Sequence, residues 1–285
     1  MTVRFDIRFD GLDANEHAID MRELGTALVG FEKAISDSVF LATEGRLPKP
    51  RERRSLVVKV EAPKAACVEL QGTVEAASGL LPIALEILKN PGTHFIFQML
   101  SFVLKKAGGK PKEAEAHVLE AIRALNDDRA GERAASLESQ RMFHEAADRL
   151  VERLVASGAV RQMVAPIGRT SETLSIGAPP GLDPTVVDVP MAEAVRSKEP
   201  LEVGDMTRMR VRVDGLIQHS RQLKVEIDDR PGQYVNADVR DPAFDERPNV
   251  YTDAVSSAGY IVVDAKPTFR EGELVKLHIM NAVRS

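Results

Sequence analysis

Hydrophobic and polar residues alternate strictly at the start of the chain, with Val3, Phe5, Ile7 and Phe9 interleaved with Thr2, Arg4, Asp6 and Arg8. A period of two puts the two sets on opposite faces of a β-strand, so a strand with one buried face is predicted. The period then changes. Leu24, Leu28, Phe31, Ile35 and Val39 recur every three or four residues, the apolar stripe of a helix that continues to about Leu41. Asp20, three residues ahead of Glu23, predicts a capping box in which Asp20 accepts the first free amides and Glu23 reaches back. Two further strand-like runs cover residues 56–61 and 67–74, with Pro63 and Lys64 at the turn between them. Residues 1–77 therefore read as a βαββ unit, one helix packed on three strands, whose sheet edges are open to another strand.

Residues 79–106 are the most apolar part of the chain. Lys89, Asn90, Pro91 and Gly92 divide them into segments at about 83–89 and 94–106. A membrane-spanning helix takes about 20 continuous apolar residues, so neither segment crosses a bilayer alone and no transmembrane span is expected. An apolar helical hairpin inside a helical region at 78–158 is predicted instead. Two amphipathic helices downstream, near 112–126 with Val118, Ile122 and Leu125 inward and near 132–156 with Phe143, Ala147, Leu150 and Leu154 inward, are candidate covers for it. Burial within the chain is the first expectation. A partner or oligomer interface through Leu85, Leu88, Phe95 and Phe97 is the second, and a membrane-inserting segment the third.

Glycines and prolines interrupt residues 159–200, which read as a connecting segment with short strands near 160–167 and 173–176. Alternation returns in residues 201–285, where Met209, Val211 and Val213 interleave with Arg208, Arg210 and Arg212, and Leu223, Val225 and Ile227 with Lys224 and Glu226. Similar runs at 234–239, 260–265 and 274–279 make five strands, the makings of a small antiparallel β-barrel. The fold class is thus α+β, in four parts: residues 1–77, 78–158, 159–200 and 201–285.

Composition narrows the chemistry. The chain has 285 residues and a net charge of -5, which argues against a field over the whole protein that attracts polyanions. Binding of that kind would have to be local. One cysteine, Cys67, excludes an intrachain disulfide and a cysteine-rich zinc site; it is expected as a small buried strand residue in a reducing compartment. The opening residues Met-Thr-Val-Arg-Phe-Asp lack the order of a signal peptide, so a cytoplasmic location is expected. The absence of tryptophan and the presence of only three tyrosines leave few faces for stacking bases or sugars.

No phosphate loop, dinucleotide fingerprint, nucleophile elbow or CxxC occurs. His144 and Asp148, four apart on a predicted helix with Glu145 beside them, have the spacing of two metal ligands and a base. The fifth position is not the histidine of the zinc-protease pattern, and a solvated charged face explains the motif better. Asp228, Asp229, Asp238, Asp241, Asp245, Asp253 and Asp264 lack calcium-loop spacing and are read as turn residues. No metal site and no cofactor is implied. Two basic groups are candidate ligand sites: Arg51, Arg53 and Arg54, held extended in a loop by Pro48 and Pro50, and Arg208, Arg210 and Arg212, which share one strand face.

Together these features predict a non-enzymatic binding protein that forms homo-oligomers or docks a partner through its sheet edges and barrel. Binding of a nucleotide or nucleic acid through a basic group is one alternative. A triggered membrane effector using residues 79–106 is another.

Overall fold

The structure, a computed structural model, describes residues 2–49, 52, 56–61, 68–76, 92–127, 137–178, 180, 182–229 and 231–285. These residues form an α+β fold with seven α-helices and two sheets, in two compact units, Met1–Arg196 and Ser197–Ser285. Among the described residues, no helix is long and apolar enough to cross a membrane.

The first unit is built on β1 (Thr2–Asp10), which pairs antiparallel with β3 (Val68–Ala76), as β3 does with β2 (Leu56–Val60). On its other side β1 takes β4 (Thr173–Ile176), followed by β5 (Thr185–Val187). The sheet order is β2-β3-β1-β4-β5, so β2 and β5 are its edges. Phe5, Ile7 and Phe9 are buried, as the alternation requires.

Helix α1 (Met21–Glu44) starts at Asp20, whose carboxylate accepts the amides of Arg22 and Glu23 at 2.9 and 3.1 Å. The reciprocal half of the expected capping box does not form, because the Glu23 carboxylate is taken by Arg169 in an ion pair. Phe31, Ile35 and Val39 are buried, and the second half of α1 is enclosed almost all round.

Helix α2 (Gly92–Ala107) is the described half of the apolar stretch, and Phe95, Ile96, Phe97, Met99, Leu100, Phe102, Val103 and Leu104 are all buried. A helix apolar on every side must be surrounded. It packs against α1, β1 and α3 (Pro111–Asp127), and also against α4 (Leu137–Ala156). Phe95 and Phe97, expected as interface residues, are 0% and 2% exposed in the core of their own unit, which corrects that expectation. Leu85 and Leu88, the first arm of the predicted hairpin, Cys67 and the turn at Pro63 and Lys64 lie outside the described residues.

A second correction concerns residues 160–167, which begin as helix α5 (Ala159–Met163) rather than a strand. Ala159, Val160, Met163 and Val164 are all fully buried, a one-two-five-six pattern that fits a helical face and not an alternating one. Helix α6 (Val189–Arg196) closes the unit. Because β4 joins β1 and α5 packs on α1, residues up to Arg196 belong with the N-terminal sheet and not to a separate connecting segment.

In the second unit β7 (Thr207–Ile217), β8 (Gln222–Ile227) and β9 (Tyr234–Val239) form an antiparallel meander. Strand β11 (Glu273–Arg284) pairs with β9 and with β10 (Tyr260–Arg270), and β10 returns to β7, closing a five-stranded barrel. One pairing departs from the antiparallel expectation: β9 and β11 run parallel. Parallel neighbours need a crossover, and here it holds α7 (Val250–Ser257) and β10. The two-residue β6 (Glu202–Val203) adds to β10.

Candidate functional site

The first two turns of α1 place Arg22, Glu23 and Thr26 on the rim of a cleft, since residues one turn apart share a helix face. The opposite wall is α5, with Arg161 and Gln162. The two helices come unusually close at Gly30, where a Cβ would stand 2.6 Å from the Ala159 carbonyl oxygen and 2.7 Å from the Met163 amide. That contact sets α5 beside the start of α1.

The chain after α5 folds into a tight loop in which the Pro166 carbonyl accepts the amides of Arg169, Thr170 and Ser171, each at 3.1 Å. Gly168 has φ +77°, a conformation glycine adopts without steric cost, and its amide reaches the Ser171 carbonyl at 2.7 Å. This loop holds Arg169 over the cleft. Arg196, at the end of α6, fastens the loop from beneath: its Nη2 donates to the Val164 and Ile167 carbonyls at 2.6 and 2.7 Å.

The result is a cleft of about 360 Å³ lined by Arg22, Glu23, Thr26, Arg161, Gln162, Ala165, Arg169 and Arg196. Four arginines face one glutamate, leaving three positive charges in excess. Arg169 uses the Glu23 carboxylate, and that contact raises the Arg169 pKa. Burial, and then the charge of Arg169, lowers the pKa of Arg196. An arginine remains protonated in water at any ordinary pH, so Arg196 is a cation held by neutral carbonyls. Among the described residues the Arg22 and Arg161 side chains have neither a hydrogen-bond nor an ion-pair partner. Such a cleft favours anions with several oxygens, which the planar fork of a guanidinium grips in pairs.

Residues 5–196, which include every residue of the cleft, match the domain of unknown function DUF7946. The chain belongs to this family. Residues 205–283 match a second family of unknown function, DUF7947. No curated protein and no solved structure matches the chain. The DUF7946 match lies within the first compact unit and the DUF7947 match within the barrel unit.

None of the four cleft arginines stands out in the sequence. They come from α1, α5, a loop and α6, with no shared period, and only Glu23 carried a sequence signal, for capping.

The sites that did stand out are differently placed. Arg208, Arg210 and Arg212 share one barrel face but each has an acid beside it: Asp264 at 3.6 Å, Asp228 at 3.4 Å and Glu226 at 2.6 Å. Arg210 also stacks on Tyr260, 4.2 Å from the ring centre. The face is a cross-strand ladder of opposite charges, which stabilises a sheet and leaves little net field for an anion. Arg51, Arg53 and Arg54 lie outside the described residues. In the same loop Arg46 grips Glu52 with two hydrogen bonds of 3.0 and 2.9 Å, holding the Glu52 pKa down at about 2.

His144 stands 3.9 Å from Asp148, but Asp148 is engaged by Lys106 and Glu145 by Arg141. The acids of the barrel are likewise used locally. Asp241 accepts the Tyr251 hydroxyl at 2.7 Å, Asp245 holds Arg221 and Asp253 holds Arg284.

A second polar group in the first unit was not anticipated. Gln98 of α2 bridges two histidines: its amide nitrogen is 3.2 Å from His94 Nε2, and its carbonyl oxygen 2.6 Å from His117 Nδ1. The geometry suits neutral rings, with His117 Nδ1–H donating. Burial first, and then the charge of Lys105, pushes the His117 pKa down to about 4.

Unfolding frees the ring to take up a proton below its ordinary value of 6.5, whereas the folded protein resists until about pH 4. The contribution is therefore complete above 6.5 and is lost as pH falls through that window. The full shift corresponds to about 3 kcal/mol, and partial exposure reduces this to roughly 1–2 kcal/mol. Denaturant titrations at pH 7 and 4.5 are expected to show this loss, and H117Q is expected to flatten it.

Proposed function

We propose that this chain is a binding protein whose first unit captures a compact phosphate-bearing anion in the cleft between α1, α5 and α6. One observation carries this reading: the cleft lining sets four arginines against one glutamate, with Arg22 and Arg161 unpaired among the described residues, in a chain whose net charge is -5. Cations held close together raise the local potential, and a bound anion offsets their repulsion. A phosphate group brings about 1.5–2 negative charges and oxygens that accept from arginine in pairs.

The nucleotide alternative of the sequence reading thereby moves from the Arg51 loop and the barrel face to residues that were not candidates. Binding, not catalysis, is the activity proposed. Among the described residues the lining has one carboxylate, Glu23, which Arg169 holds through Oε1 while Oε2 is buried without a hydrogen-bond partner, and the other side chains are arginines, a threonine, a glutamine and an alanine. Thr26 donates its hydroxyl to the Arg22 carbonyl at 2.7 Å and is thereby occupied.

The test is isothermal titration with inorganic phosphate at low salt. Binding is expected, weakened about tenfold or more by the double variant R22A/R161A and weakened again by raised ionic strength. Failure of phosphate, pyrophosphate and organic phosphates alike to bind at low salt would remove the proposal.

A further inference from the structure

Resting on that reading, we infer that the ligand of the cleft carries two phosphate groups and that no nucleobase is needed for its recognition. The first ground is charge. A single phosphate supplies about 1.5–2 negative charges, fewer than the excess of arginines over glutamate in the lining, and a second phosphate makes up the difference.

The second ground is the placement of the unused donors. Arg169 is committed to Glu23, and Arg196 spends its Nη2 on the loop carbonyls. The two guanidinium forks without partners among the described residues, Arg22 and Arg161, belong to different helices, α1 and α5, that pack against each other at Gly30. A single phosphate would have to share its oxygens between the two forks. A diphosphate, or two phosphates on a small body, gives each fork its own group.

The third ground is what the lining lacks. Among the described residues its uncharged members are Thr26, Gln162 and Ala165, so a purine or pyrimidine ring meets no aromatic side chain and has only the arginine planes to stack on. The volume of about 360 Å³ lies near the lower end of small-molecule sites, enough for a diphosphate with a sugar-sized body. Free pyrophosphate, sugar bisphosphates and nucleoside diphosphates share this chemistry, and the test separates them.

The full chain and its R22A, R161A, R22K and R161K variants are titrated with orthophosphate, pyrophosphate, a hexose bisphosphate and a nucleoside diphosphate at one ionic strength. Pyrophosphate or the bisphosphate is expected to bind at least about tenfold more tightly than orthophosphate, with the nucleoside changing diphosphate affinity by less than about threefold. Each arginine-to-alanine change is expected to cost the diphosphates about tenfold, and each lysine variant less, since lysine keeps the charge but not the fork.

Equal affinity for orthophosphate and pyrophosphate overturns the two-phosphate inference while leaving the cleft an anion site. A nucleoside contribution of about tenfold or more overturns the second half of the inference. Absence of binding by all four probes instead removes the underlying reading. Circular dichroism confirms that each variant is folded; Arg22 and Arg161 are exposed residues without partners among the described residues, so their replacement leaves the core untouched.

Discussion

Truncating Phe95 to alanine is expected to lower the stability of the first unit by about 3–5 kcal/mol, the range for removing a large aromatic side chain from a closed core. Phe95 is 0% exposed on α2, and α2 is packed by α1, α3, α4 and β1. Neighbours on every side cannot all collapse into the space left behind, so the cost includes a cavity as well as lost transfer energy. Phe97, also buried, meets His117 edge to face with ring centres 6.1 Å apart, so F97A is expected to fall in the same range and to loosen the Gln98 bridge as well. Denaturant unfolding measures the loss, and light scattering on the same samples decides its origin. An interface residue would change the association state while the unfolding midpoint stayed fixed.

The second large effect is expected from Gly30→Ala, a substitution that normally strengthens a helix by up to about 1 kcal/mol. Here the sign reverses. The added methyl would lie 2.6 Å from the Ala159 carbonyl oxygen and 2.7 Å from the Met163 amide, and both are backbone atoms with no rotamer to change. Helices α1 and α5 must separate, at a cost of about 1–3 kcal/mol or more. Because α5 carries Arg161 and Gln162, the cleft widens with them, and phosphate affinity is expected to fall along with the melting temperature. Gly25→Ala on the same helix is the control. A Cβ at Gly25 meets nothing within 4 Å, so that variant is expected to gain stability with phosphate binding unchanged.

Much of the fold was readable because burial leaves its period in the chain. The alternation from Val3 to Phe9 marks β1, and Phe31, Ile35 and Val39 mark the inward face of α1. The interleaved valines of β7 and β8 mark two barrel staves, and all of these side chains from Phe5 onward have the predicted environment. The misreadings have the same origin. Residues 160–167 are apolar enough for a strand over so short a run, and periodicity alone cannot separate a short buried helix from a short buried strand. The cluster Arg208, Arg210 and Arg212 was visible as three cations, while the acids that neutralise them lie on neighbouring strands, at Asp264, Asp228 and Glu226.

The amino-acid sequence by itself determined the class of β1, α1 and the barrel strands and the closed character of the C-terminal strands. These follow from periods of two and of three to four residues, which are local properties. Tertiary structure alone decided that β4 from far along the chain pairs with β1, that β9 and β11 meet in parallel, and that α2 is wrapped by its own unit. It also decided the site. Arg22, Arg161, Arg169 and Arg196 become one cleft only because Gly30 admits α5 against α1 and because Arg196 ties down the loop that carries Arg169. Charge repulsion and close packing act through space, and neither has a period along the chain.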